Sequence, residues 1–134
     1  DVLRHVDIFH NTVVARDEGI VLRNPEAGHA YPQGVTANVI FAARPLSSPG
    51  WVGNLTGPYD SAARDLRKPF ASLEELDLAP HPFLSATSSI PAGYPDADLD
   101  YTYQTSVTGE IGACESGRPI RDCGMGFLQR LFAP

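Results

Sequence analysis

"VDIFHNTVVARDEGIVLRN", Val6 to Asn24, is echoed further along the chain by "QGVTANVIFAARPLSSPGWVGN", Gln33 to Asn54. Laid over one another, Asn11 falls on Asn38, Ile8 on Val35, Val13 on Ile40 and Val14 on Phe41, all at an offset of 27. The Gly19-Ile20-Val21 step then matches Gly50-Trp51-Val52 once four extra residues are allowed within "ARPLSSPG". A period in this range signals a solenoid, in which each repeat stacks on the next and like residues lie over like residues. The segments involved are short, rich in Val and Ile and bounded by turn residues, as strands are. The repeat therefore predicts a parallel β-helix, with inward side chains forming apolar columns and Asn11 bonded to Asn38 in a side-chain ladder. Chance likeness between two Val-rich hairpins is the competing explanation.

Composition narrows the classes. The chain has 134 residues, 43% of them hydrophobic and 19% charged, the profile of one ordinary globular domain or a piece of one. Its 12 glycines and 12 prolines imply much turn and irregular connection. The net charge is −6 and Lys68 is the only lysine, which speaks against a nucleic-acid binder. No apolar run is long enough to span a bilayer. The chain opens on Asp1 with no signal peptide in view, so an N-terminal portion removed, or an incomplete translation product, is expected.

Residues 1–60 read as terminal coils, with 44–60 loop-like around Trp51-Val52. Residues 61–109 read as an irregular extension holding the only helix-like signal, since Ser72 and Glu75 form a capping-box pattern. Residues 110–134 read as a closing strand, "EIGACE", and an apolar tail in which Phe127, Leu128, Leu131 and Phe132 have helical spacing. Cys114 and Cys123 invite a short-loop disulfide in an oxidising compartment; two free thiols are the alternative.

Few residues suggest chemistry. The histidines His5, His10, His29 and His81 lack helical zinc spacing, and His10 reads as a solvent-facing turn residue. "DADLD" alternates Asp96, Asp98 and Asp100 as a calcium loop does, but Tyr101 and Val107 stand where such a loop needs Gly and Glu. A solvated acidic turn explains it equally. Asp17 and Glu18, with Arg16 and Arg23 nearby, are either a carboxylate pair for sugar chemistry or a charged connection. "NLT", Asn54 to Thr56, is a glycosylation sequon, meaningful in a eukaryotic secreted protein. No catalytic residue and no cofactor is assigned.

The order "IFHNTVVA", "VTANVIFAA", "VGNLTG", "DLRKPF", "LDLAPHPFL" and "DADLDYTYQTSVTGEIGACE" resembles the last coils of right-handed parallel β-helix proteins of the pectate-lyase-like superfamily, over residues 6 to 115. Asp98, Asp100, Ile111, Gly112, Ala113 and Glu115 keep the closing pattern. Tyr101 replaces its usual glycine and Cys114 its usual aromatic residue. The resemblance implies an all-β fold, a β-helix fragment of about two coils with an irregular C-terminal extension, in an extracellular or periplasmic protein. It also implies that catalytic side chains, where the family has them, lie on coils other than these.

Three functions compete. One is a non-catalytic structural or assembly segment, whose coil edge (Val6, Ile8, Phe9, Val13 and Val14) packs on another chain or on an upstream portion of its own precursor. The second is the tail of a polysaccharide lyase or glycoside hydrolase, for which Arg16, Arg23, Arg44 and Trp51 are the exterior candidates to bind polysaccharide. The third is a small extracellular β-sandwich binding module. The missing catalytic constellation and the exposed coil edge favour the first.

Overall fold

The computed structural model describes residues 6–23 and 33–81, together with Tyr94 and Gly112. The chain is all-β in character, built from short strands in small sheets with little helix. Its first pass carries β1 (Val6–Phe9), β2 (Thr12–Val14) and β3 (Glu18–Ile20). The second carries β4 (Gln33–Thr36), β5 (Val39–Phe41) and β6 (Arg44–Leu46). β7 (Leu55–Gly57) follows, then a four-residue helix α1 (Ala62–Asp65) and a pair of strands, β8 (Leu66–Lys68) and β9 (Asp77–Pro80).

Strands of the first pass pair in parallel with those of the second. β1 runs beside β4 with Ile8 opposite Val35, and β2 beside β5 with Val13 opposite Ile40 and Val14 opposite Phe41. These are the registers expected from the repeat. β7 adds to the far side of β5, Val39 opposite Leu55, so the middle sheet has the order β2-β5-β7. β8 and β9 form a separate antiparallel pair. No closed coil is shown among the described residues.

β5 is the centre of the described strands. Val39, Ile40 and Phe41 are all buried, because neighbouring side chains on a strand point to opposite faces and both faces are covered. Ile40 joins Val35 and Ile20, with Ile8, Val13, Leu22, Leu46 and Trp51 packed around them. Val39 and Phe41 join Ala37, Ala62 and Leu66, with Val14, Leu55 and Leu78 against them. Helix α1 and the β8–β9 pair thus act as a lid over the second face of the middle sheet.

Each of three successive turns has the same construction. A residue in the left-handed region (His10 at φ 54°, Ala37 at 56°, Gly53 at 78°) stands directly before an asparagine (Asn11, Asn38, Asn54). For His10 and Ala37 that conformation costs about 1–2 kcal/mol each. The backbone bonds across turns offset it. Ala37 N–H donates to the Gly53 carbonyl at 2.9 Å, Val39 N–H to the Asn11 carbonyl at 2.8 Å and Leu55 N–H to the Asn38 carbonyl at 2.9 Å. Gly112, the one described residue of the expected closing segment, donates its N–H to the Ala37 carbonyl at 2.9 Å.

Three sequence expectations need correction. Gly19 does not align with Gly50: β3 pairs with β6 through Glu18 opposite Arg44 and Ile20 opposite Leu46. Gly19 is small for another reason, since a Cβ there would collide with the Ile40 side chain and the Pro45 carbonyl. Residues 44–60 are more than a loop, because they hold β6 and β7. The capping-box pattern makes only one turn, closed by Glu75 N–H to the Ser72 carbonyl at 3.0 Å, and the helix stands earlier, at α1. Pro69 stops any continuous helix through 61–79, and a run of barely two turns is too short to hold without it. The calcium candidates Asp96, Asp98 and Asp100, the Cys114–Cys123 pair and the tail Phe127, Leu128, Leu131 and Phe132 lie outside the described residues.

Asn38 is fully buried, so Asn38→Ala should orphan partners on both neighbouring turns. A loss of at least about 1–3 kcal/mol is expected in denaturant unfolding. A midpoint unchanged within a few tenths of a kcal/mol would place that amide in water.

Candidate functional site

The described part of the chain gathers its polar order into one line, the three asparagines. Asn11 N–H and Nδ2 donate to Asn38 Oδ1 at 2.9 and 3.1 Å. Asn38 N–H and Nδ2 donate in the same way to Asn54 Oδ1 at 3.0 and 2.9 Å. Asn38 Nδ2 also reaches the Ile8 carbonyl at 2.9 Å and the Thr36 carbonyl at 2.8 Å. Asn54 Nδ2 reaches the Val35 carbonyl at 2.8 Å and the Trp51 carbonyl at 3.2 Å. The ladder has a direction: side-chain oxygens of a later turn accept from the turn before it. Asn11 and Asn38 were legible as rungs in the sequence. Asn54 was missed, because it follows Asn38 by 16 residues instead of 27. The signal that could have found it is the Gly53-Asn54 pair.

The ladder stops at an edge. Among the described residues, β1, β2 and β3 each have a neighbouring strand on one side alone. Every residue of β1 and β2 is half-buried, whereas β5, with strands on both sides, is fully buried. Of the residues expected to meet a partner, Ile8 and Val13 lean on the Ile40 cluster and Val14 on the Phe41 cluster. Val6 pairs with Gln33. Phe9 packs against the Tyr94 ring at 5.1 Å. The Tyr94 hydroxyl donates to the Asp7 carboxylate, which raises the Tyr94 pKa. His10 is half-buried with its ring edge-on to Phe9 at 5.7 Å, so it is not the solvent-facing residue expected.

Glu18 is engaged with two of the arginines. Glu18 lies between Arg44 at 3.2 Å and Arg23 at 3.5 Å. Arg16 sits 5.6 Å from the centre of the Tyr59 ring. With Trp51 in the Ile40 cluster, all four candidates for polysaccharide contact therefore have intramolecular roles. An open depression of about 350 Å³ is lined by Pro45, Leu46, Ser48, Pro49, Trp51, Asn54 and Thr56. None of those side chains is suited to general acid–base work near neutral pH. No group of three or more His, Cys, Asp or Glu residues that could hold a metal ion occurs among the described residues. Nor is any helix among them long and apolar enough to cross a membrane.

Two buried carboxylates lie within the lid. Asp65 receives Nε and Nη2 of Arg64 at 2.8 and 2.7 Å, and those bonds lower its pKa against the opposing effect of burial. Asp77 is fully buried, accepts the Ala79 N–H at 3.0 Å and lies 3.6 Å from Arg67. His81 N–H donates to the Asp65 carbonyl at 2.9 Å. These contacts tie β9 to α1 and β8.

Two measurements follow from this geometry. Asn54 spends its amide on Val35 and Trp51, so a glycan there would cut the ladder. Folded protein secreted from eukaryotic cells should carry no sugar at Asn54, and mass spectrometry finding the site occupied in cooperatively folding material would contradict this. A depressed folded-state pKa at Asp65 means stability present above the unfolded value of about 3.9 and lost as pH falls through the folded value. Asp65→Asn should therefore flatten the acid side of the stability profile; an unchanged acid limb would remove Asp65 from that role. No protein-family model, no curated protein and no solved structure matches this chain.

Proposed function

We propose that the described passes are coils of a right-handed parallel β-helix, of the pectate-lyase-like kind, serving as a non-catalytic structural or assembly segment. Its β1–β2–β3 edge packs on further strands, of another polypeptide or of its own precursor. The observation that carries this reading is the contrast between two equivalent strands. β5 and β2 occupy corresponding places in the repeat, yet β5 is buried between two neighbours and β2 is half-buried beside one. A strand with a neighbour on one side alone, beside apolar side chains, is a template for pairing. The parallel registers and the repeated left-handed residue–asparagine turns support the β-helix over a β-sandwich. An extracellular or periplasmic setting belongs to the same proposal and draws on the resemblance and on Cys114 and Cys123.

The tail of a carbohydrate-active enzyme is the second reading. It draws on the depression beside Trp51, which no acid–base pair lines among the described residues. Residues 1–134 expressed alone decide the main point. Concentration-dependent association in sedimentation, with a broad and low thermal transition, is expected. A soluble monomer with a sharp cooperative melt would show a self-sufficient core and remove the assembly role.

A further inference from the structure

The ladder says more than that the edge pairs; it says with what. Two rungs follow one rule. The earlier asparagine gives both its N–H and its Nδ2 to the Oδ1 of the later one. The later asparagine returns its own Nδ2 to a carbonyl three residues before the earlier one: Asn38 to Ile8, ahead of Asn11, and Asn54 to Val35, ahead of Asn38. Asn11 obeys only half of the rule. Its N–H and Nδ2 go to Asn38, and Nδ2 also reaches its own turn at the Phe9 carbonyl, 2.8 Å away. Among the described residues nothing donates to Asn11 Oδ1, and no carbonyl of an earlier turn meets its Nδ2. The first rung is thus an acceptor waiting for two donors, at the edge the proposed assembly role would bury.

We propose that the partner at this edge is a further coil rather than a second copy of this chain, a segment running parallel to β1 and β2 whose turn is a left-handed residue followed by an asparagine. That asparagine gives its N–H and Nδ2 to Asn11 Oδ1, and the carbonyl three residues before it accepts from Asn11 Nδ2. Chemistry selects the side chain. An aspartate in that turn would set two acceptors against each other and leave Oδ1 with one donor instead of two. A glutamine is a methylene too long to keep the strand spacing of about 4.8 Å. Alanine would bury Oδ1 with the backbone N–H alone.

A second copy of this chain fits less well. Its last turn, Gly53-Asn54, has the right conformation, and Asn54 Nδ2 holds two carbonyls just as Asn38 Nδ2 does, so the strands decide. β7 is the only described strand of that third pass, so it would cover β2 and leave β1 and β3 bare.

This inference rests on the proposed assembly role, and one set of chains separates the two. Residues 6–32 are duplicated directly ahead of Val6 in the full chain, which places a copy of the His10-Asn11 turn one period of 27 before Asn11. Matched chains carry Asp or Ala for the added asparagine, or the added segment scrambled. The duplicated chain should melt about 4 °C or more above the scrambled one. The Asn11 side-chain amide should exchange at least about tenfold more slowly. The Asp and Ala versions should lose most of both effects. Equal gains from all three unscrambled chains would show that the edge pairs without the ladder, overturning this inference and sparing the assembly role. No gain over the scrambled chain would overturn both. Open-ended polymers of the unextended chain, abolished by Asn54→Asp, would assign the edge to a second copy and overturn the choice of a further coil.

Discussion

A primary amide sealed inside an apolar strand region tolerates only one arrangement of its neighbours, and Asn38 is such an amide. Its oxygen accepts from the turn before it, and its nitrogen donates to the turn after it and to carbonyls of two passes. Slipping a strand by one residue would strand those groups in apolar surroundings and reverse which side chains face inward. The rungs on either side of Asn38 therefore hold register as well as contributing stability. Val35 over Ile8 and Ile40 over Val13 follow from where Asn38 must sit.

Register in turn determines packing. Once β5 lies between β2 and β7, its alternating side chains face two separate apolar clusters, one among the passes and one under α1 and β8. A strand buried on both faces carries a continuous apolar run, which is what "VIFAA" is. Within the lid, the buried carboxylate of Asp77 pairs with Arg67 across β9 and β8, and that of Asp65 with its chain neighbour Arg64. Removing either arginine would leave a buried carboxylate less compensated, while the apolar cluster of Val39, Phe41, Ala62 and Leu66 seats the lid on the sheet.

Sequence reading reached the fold as far as the period held. Asn11 over Asn38 and Val13 over Ile40 were legible because strand and turn recur at one spacing. Where the chain shortens its third pass, the period vanished and with it Asn54, although the turn geometry at Gly53 is the same. Gly19 was matched to a distant glycine because identity was weighed above pairing, whereas the close approach of Pro45 explains it. Ser72 and Glu75 misled as a capping box, since they close one backbone turn with no helix behind it, between paired strands β8 and β9. The candidate site was half legible: the apolar edge could be named in advance, but the direction of its hydrogen bonds needed coordinates.

The central claim is that side-chain oxygens of successive asparagines accept the backbone amides of the turn before. Scalar couplings across hydrogen bonds test it most directly, read by NMR from the Asn11 amide nitrogen to the Asn38 side-chain carbonyl carbon and from Asn38 to Asn54. Both couplings should be observed, with the Asn38 amide among the slowest to exchange. Neither coupling, and an Asn38 amide that exchanges as fast as an exposed one, would contradict the account.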